Sequence, residues 1–263
     1  MTELKNAVVL ITGAGGGFGQ ELMRQCLAMG SRLIVTDVNP DLLQASLDKV
    51  MRDQPGGHII QCITADLSTR EGCEALYQAV ELTPDVLINN AGLANSGRFD
   101  QIPAEKWELV MQVNLLAPMR LVSLFLPDMI KRRHGHIVNI SSLAGWAGIG
   151  TIAHYSAAKY GLRGFGEALH EELAPYNIKL TSVYPFFSRT AILESPHYGS
   201  LPRRTIPDQL TSDPADIMRE TIKGIQQNRL HVFPDRTAKQ IHWIKRLFPA
   251  MIPVLNRYME RMG

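Results

Sequence analysis

Cysteine is scarce in this chain: three residues, Cys26, Cys62 and Cys73, in a length of 263. Their number and uneven spacing exclude a disulfide framework and a zinc site, so no metal is expected and a reducing cytoplasm is the expected compartment. A long uncharged apolar run is missing as well, none approaching the roughly 18–20 residues that span a bilayer. The first residues run from a short apolar stretch straight into glycines, without the basic segment and long apolar core of a signal peptide. Neither sign of charge dominates, since 27 Lys plus Arg face 25 Asp plus Glu for a formal charge of +2. A nucleic-acid partner is therefore not expected, because such binding rests on a concentrated basic face. No internal repeat is visible, and no Gly/Ser/Pro-rich linker interrupts the chain before residue 185. One domain over 1–263 is expected, although the length alone would allow two.

What is present is alternation. Short β-branched apolar runs at Val8–Thr12, Arg32–Asp37, His58–Thr64, Val86–Asn90, His136–Ser141 and Lys179–Pro185 read as strands. Helical spacing fills the gaps, as in Phe18, Leu22, Cys26 and Met29, or Trp107, Met111 and the stretch from Leu115 to Met129. The runs are too apolar for a half-exposed sheet, so the pattern predicts an α/β fold with a doubly wound parallel sheet of the Rossmann type. Ligands of such sheets sit outside the carboxyl ends of the strands. Residues 188–214 carry four prolines and no period and read as a lid loop over the substrate. Asp213–Asn228 then reads as a helix, Leu230–Phe233 as a last strand, and 238–263 as a helical C-terminal tail broken by Pro249 and Pro253.

The first strand ends in Thr12-Gly13-Ala14-Gly15-Gly16-Gly17-Phe18-Gly19 and a helix follows, the setting a nucleotide-binding turn requires. Glycine permits positive φ and lets a pyrophosphate approach the helix N-terminus, where free N–H groups favour negative charge. The missing Gly-Lys-Ser/Thr ending argues against a nucleotide triphosphatase. Asp37 closes the second strand, 18 residues beyond Gly19, where a carboxylate can accept hydrogen bonds from a ribose diol. A 2′-phosphate there would meet a like charge, and no Lys or Arg lies between Ala14 and Gly19 to offset it. NAD is therefore the expected cofactor.

Tyr155 and Lys159 are four apart in a helical stretch and project from one face. The pair joins a phenol to an ammonium, which lowers a tyrosine pKa if the two lie close. Here the motifs accumulate: Thr12 to Gly19, Asn89-Asn90-Ala91-Gly92, Ser142 lying 13 residues before Tyr155, and Lys159. In that order and spacing the chain resembles the short-chain dehydrogenase/reductase family from Val8 to about Thr190. The resemblance implies catalytic roles for four residues. Tyr155 would be the general acid or base, Lys159 would depress its pKa and bind the nicotinamide ribose, Ser142 would orient the substrate oxygen, and Asn114 would hold a relay water. Ser141 is the rival for the serine role. It further implies that Thr12, Gly13, Gly15, Gly17, Phe18 and Gly19, then Asp37, the adenine-contacting pair Asp66 and Leu67, Asn90, Ala91, Gly92, Pro185 and Thr190 contact the cofactor, with Tyr155 and Lys159. One departure stands out, for Phe186 follows Pro185 where the family commonly has glycine.

The expected activity is NAD-dependent hydride transfer between an alcohol, secondary and hydrophobic, and its ketone or aldehyde. The alternatives are an NAD-binding sensor without turnover and a non-redox relative such as a dehydratase or epimerase. Leu93, Ala94, Leu143, Trp146, Phe186, Phe187 and Ile192 are the candidate pocket residues, suited to an apolar substrate. His154, beside Tyr155, is set aside as facing away or lining the pocket mouth. The resemblance also implies a homodimer or homotetramer. For the tail, with Ile244, Phe248, Met251, Leu255, Tyr258 and Met262 at helical spacing, packing over the substrate mouth or against a neighbouring subunit is expected ahead of contact with a membrane surface.

Overall fold

In the first strand apolar side chains occupy every position, and the period of two sends them to opposite faces. In the computed structural model, which describes residues 1–203 and 206–251, Val9 and Ile11 face one apolar layer while Val8 and Leu10 face the other. The first layer is closed by helices α1 (Gly17–Ala28), α2 (Pro40–Asp53) and α7 (Pro214–Gln226). The second is closed by α3 (Arg70–Ala79), α5 (Ala117–Arg132) and α6 (Ala153–Leu173). A strand buried on both faces needs this continuous apolar run, which is why a half-polar alternation is absent.

Strands β1 (Val8–Thr12), β2 (Arg32–Asp37) and β3 (His58–Thr64) have the predicted bounds. Strands β4 (Val86–Asn89), β5 (Gly135–Ile140), β6 (Ile178–Val183) and β7 (His231–Val232) differ by a residue or two at their ends. Asn90, predicted as the end of β4, lies outside the ladder, and its side chain turns back to the carbonyls of Thr12 and Gly13. All seven pair in parallel in the order β7-β6-β5-β4-β1-β2-β3. The chain thus winds outward from β1 in both directions, and the crevice at the carboxyl ends of β1 and β4 is the switch point where such sheets bind ligands.

The helical stretch Ala104–Arg132 is long and apolar enough, by length and composition, to cross a membrane, although charged residues such as Arg120 and Asp128 interrupt it. Its Leu121, Val122, Phe125 and Met129 pack in the second apolar layer of this fold. The stretch comprises α4 (Ala104–Met111), a π turn over Gln112–Leu116, and α5.

Two expectations change. The segment expected to be a structureless lid is strapped: Phe187–Ser188 pairs with Thr211–Ser212, His197–Tyr198 pairs with Ser96–Gly97, and single helical turns lie at Ala191–Glu194 and Asp208–Leu210. Those partners are distant in sequence, so no local period reveals them. The tail helix α8 (Arg236–Leu247), capped by Asp235, begins two residues earlier than expected. Its inner residues Ala238, Ile241 and Ile244 pack on Leu143, Ala147 and Phe186, whereas Phe248 and Met251 are exposed, as are Trp243 and Leu247. One predicted stripe is therefore two faces; its remaining members Leu255, Tyr258 and Met262, with Pro253, lie outside the described residues.

Candidate active site

The glycine-rich turn is shaped by what it touches. Gly13 has φ +64°, and a Cβ there would stand 2.7 Å from the Ala91 Cα, so only glycine combines this backbone with this contact. Thr12 Oγ1 accepts hydrogen bonds from the N–H groups of Asn90 (3.0 Å) and Ala91 (2.9 Å). In return Asn90 Nδ2 donates to the carbonyls of Thr12 (2.8 Å) and Gly13 (3.0 Å). Thr12 and Asn90 thus lace the turn after β1 to the loop after β4, and act first as supports of the crevice.

Asp37 reaches the same turn from the end of β2. Its Oδ2 accepts from Gly15 N (3.0 Å) and its Oδ1 from Asn39 N (3.1 Å). A Cβ on Gly15 would crowd Asp37 Oδ2 at 3.0 Å, and one on Gly17 would crowd Thr190 Cγ2 at 3.0 Å. Gly19 packs on Ala14 and the Gly13 carbonyl more closely than any Cβ allows. The first N–H groups of α1 have no side-chain cap, leaving a donor-rich helix end of the kind that receives phosphate oxygens. Leu67 is buried after β3 while Asp66, held by Ser68 N at 2.9 Å, is exposed. The glycine cradle, the uncapped helix end and the Asp37 carboxylate together fit a nicotinamide dinucleotide.

On the other side of the crevice the π turn carries Asn114, which is fully buried. Its amide is spent on one backbone residue: Nδ2 donates to Leu93 O (2.8 Å) and Oδ1 accepts from Leu93 N (3.0 Å). The side chain therefore anchors the loop after Gly92. Leu93, anchored there, does not line the cleft.

Lys159 is 4% exposed and donates from Nζ to Ile140 O at 2.8 Å. Burial pushes its ammonium down to about 8. Its Nζ lies 5.7 Å from the centroid of the Tyr155 ring. Burial pushes the Tyr155 phenol up to about 12, with a hydrogen bond to Ser142 acting in the opposite direction. In the protein alone desolvation thus governs the phenol, with no lowering by Lys159, and at pH 7 the pair stands as phenol and ammonium. Ser142 Oγ also accepts from Ala144 N (3.1 Å). Its rival Ser141 donates to the Lys159 carbonyl (3.2 Å), which fastens it to α6. His154 is buried beside Phe99 and stays outside the cleft lining, its imidazole pushed below the ordinary range by burial.

A cleft of about 180 Å³ opens over Ser142 and Tyr155, walled by Phe18, Leu143, Phe186, Phe187 and Ile192, with Pro185 and Thr190 at its inner edge. Trp146, predicted to line it, lies behind it among Tyr184, Phe233 and His242, with the Arg163 guanidinium 3.6 Å from the ring centroid. Sequence reasoning missed Asn95, the Ile149–Ile152 turn and Arg203, which also line the cleft. It missed Asp235 too, whose Oδ2 accepts from Phe186 N at 2.9 Å. Asp235 carried a usable signal, a helix cap ahead of an amphipathic run; the others carried none.

The family model described as short chain dehydrogenase matches residues 7–197. The chain belongs to the short-chain dehydrogenase/reductase family. It is thereby an oxidoreductase of a kind that binds a nicotinamide dinucleotide. Epidermal retinol dehydrogenase 2 of Homo sapiens is 31% identical over 249 residues, covering 92% of this chain and 78% of that protein. Among solved structures, a short-chain dehydrogenase/reductase from Burkholderia phymatum in complex with NAD superposes with a TM-score of 0.82 at 24% identity, covering 97% of each chain. A short-chain dehydrogenase from Sphingobium yanoikuyae in complex with NADPH gives 0.78 at 26% identity, covering 93% of this chain and 95% of that one.

Proposed function

We propose that this protein interconverts a hydrophobic alcohol, secondary by preference, and its ketone or aldehyde, using NAD. The observation that carries the reading is that the hydroxyl residues Ser142 and Tyr155 line one apolar cleft, together with Phe18 of the glycine turn. When bound, the dinucleotide supplies the hydride acceptor or donor. Ser142 orients the substrate oxygen beside the phenol. Tyr155 gives the proton to that oxygen in reduction and takes it back in oxidation. With the phenol pushed up to about 12, the protein alone holds the proton-donating form. Lys159 keeps an ammonium within reach to stabilise the phenolate, and Asn114 holds the Leu93 loop that borders it. The apolar walls exclude water and match an apolar substrate.

Asp37 supports NAD over NADP. A carboxylate about 4 Å from a 2′-phosphate charge is repelled by roughly 4 kcal/mol at an effective dielectric near 20, before screening by salt. The exposed small residues Ala157, Gly164 and Ala168 on α6 support a homodimer or homotetramer, since they allow another helix to approach closely. The deciding experiment is Tyr155→Phe, which keeps the ring and removes the transferable proton. It should preserve dinucleotide affinity and lower kcat by about 10²–10⁴. A variant retaining more than a tenth of wild-type turnover on secondary alcohols would remove Tyr155 from the acid–base role.

A further inference from the structure

Asp235 has no part in the chemistry above, yet both of its oxygens are committed. It is 8% exposed. Oδ1 accepts from Ala238 N at 2.7 Å, capping α8, and Oδ2 accepts from Phe186 N at 2.9 Å, across 49 residues of chain. A carboxylate is favoured at a helix N-terminus, and bonds from N–H groups to an ionised oxygen are stronger than neutral ones. The Phe186 N–H belongs to the peptide group that joins it to Pro185, and the carbonyl of that same group accepts from Leu143 N at 2.8 Å. One peptide plane is thus held at both ends, by the residue after Ser142 and by the first turn of α8. Rotating it breaks both bonds. Side-chain packing repeats the connection, since Ala238 and Ile241 of α8 share an apolar cluster with Leu143, Ala147 and Phe186. Phe186 does not adopt positive φ, so the turn needs an external hold where a glycine would bend freely.

We propose that Asp235 is a positioning residue, through which α8 fixes the Pro185–Phe186 peptide and thereby sets where the Phe186 ring stands in the cleft and which apolar substrates fit. The proposal rests on the alcohol/ketone reading of that cleft only for its kinetic consequence. Phe186 is 8% exposed and forms part of the cleft wall, so freeing its backbone widens the space beside Tyr155 without touching the reacting groups.

The test uses the full chain and three variants. Asp235→Asn and Asp235→Ser keep an oxygen that caps α8, as Asn, Asp and Ser are comparable caps. Neither can also accept from Phe186, because the amide presents a donor and the serine hydroxyl is too short. Asp235→Ala loses both bonds. Amide hydrogen exchange of 186–190 and 236–247 is followed with KM and kcat for secondary alcohols of increasing bulk. In the Asn and Ser variants exchange at 186–190 should rise about tenfold while 236–247 stays within about twofold of wild type. KM for the bulkier alcohols should change by about five- to tenfold with kcat held within about threefold. The alanine variant should loosen both segments. Wild-type exchange at 186–190 in the Asn and Ser variants would reduce Asp235 to a helix cap, and loosening of both segments in all three would make the effect a general loss of α8. Either result overturns the proposal. A wild-type protein idle on every alcohol and ketone would defeat the functional reading alone, with the exchange data still deciding the role of Asp235.

Discussion

Replacing Lys159 with methionine removes a buried charge from the candidate active site and turns its cost into a measurable pH dependence. The lysine is 4% exposed, and its Nζ donates to Ile140 O. Burial holds its pKa at about 8, against an ordinary 10.5. At neutral pH this difference corresponds to roughly 3 kcal/mol by which the ammonium favours the unfolded chain. Between about pH 8 and 10.5 the unfolded chain keeps that proton and the folded protein does not. Wild-type stability relative to Lys159→Met therefore rises with pH across this window and is lowest below it. The variant also loses the bond to Ile140 O, about 1 kcal/mol, but that loss does not vary with pH. Tyr155, its phenol pushed up to about 12, stays protonated in the folded protein across this window with or without the ammonium, and it drops out of the comparison. The stability difference, variant minus wild type, should shrink by about 2 kcal/mol from pH 7.5 to pH 10, or roughly 4–8 °C in Tm for a chain of this size. Thermal unfolding of dinucleotide-free protein by circular dichroism at a series of pH values measures it, beside a kcat that falls by at least about a hundredfold. A difference that stays flat or grows with pH would refute the account of Lys159 as a charge held against its solvation.

Neutralising Asp37 as Asp37→Ser should narrow the preference for NAD over NADP in kcat/KM by about tenfold or more; a wild-type enzyme equally active with both would show that the 2′-phosphate avoids this carboxylate. Gly13→Ala places a Cβ 2.7 Å from the Ala91 Cα at φ +64° and should cost about 2 kcal/mol in urea denaturation, an unchanged midpoint contradicting the close packing of the two loops. Static light scattering at micromolar concentration should find a dimer or tetramer. Gly164→Arg, at a position where a Cβ meets nothing within 4 Å, should weaken that assembly while the subunit keeps its fold; a monomeric wild type would end the expectation.

The strand positions, the glycine turn and the order of the chemical residues were all legible in the sequence, because each rests on short-range chemistry. A strand buried on both faces must be apolar at every residue, as Val8–Thr12 is. A turn that meets a helix end needs glycine, as Gly13 does. The position of Tyr155 above Lys159 follows from four residues of helix. What the sequence left open depended on partners far along the chain. Trp146 has the apolar character of a pocket residue, and its place behind the cleft is decided by Tyr184, Phe233 and Arg163. No local signal gives the partner of the Asn114 amide, which is the backbone of Leu93. The tail was one apolar stripe in sequence, and docking of α8 on Leu143 and Phe186 buried one face of it and left Trp243 and Leu247 exposed. Local propensity and periodicity act over a few residues, so they locate strands, helices and turns. Hydrogen bonds that span 49 residues, such as that from Phe186 to Asp235, form only once the sheet has brought both segments to one edge of the crevice, and there the tertiary structure alone decides which atoms meet.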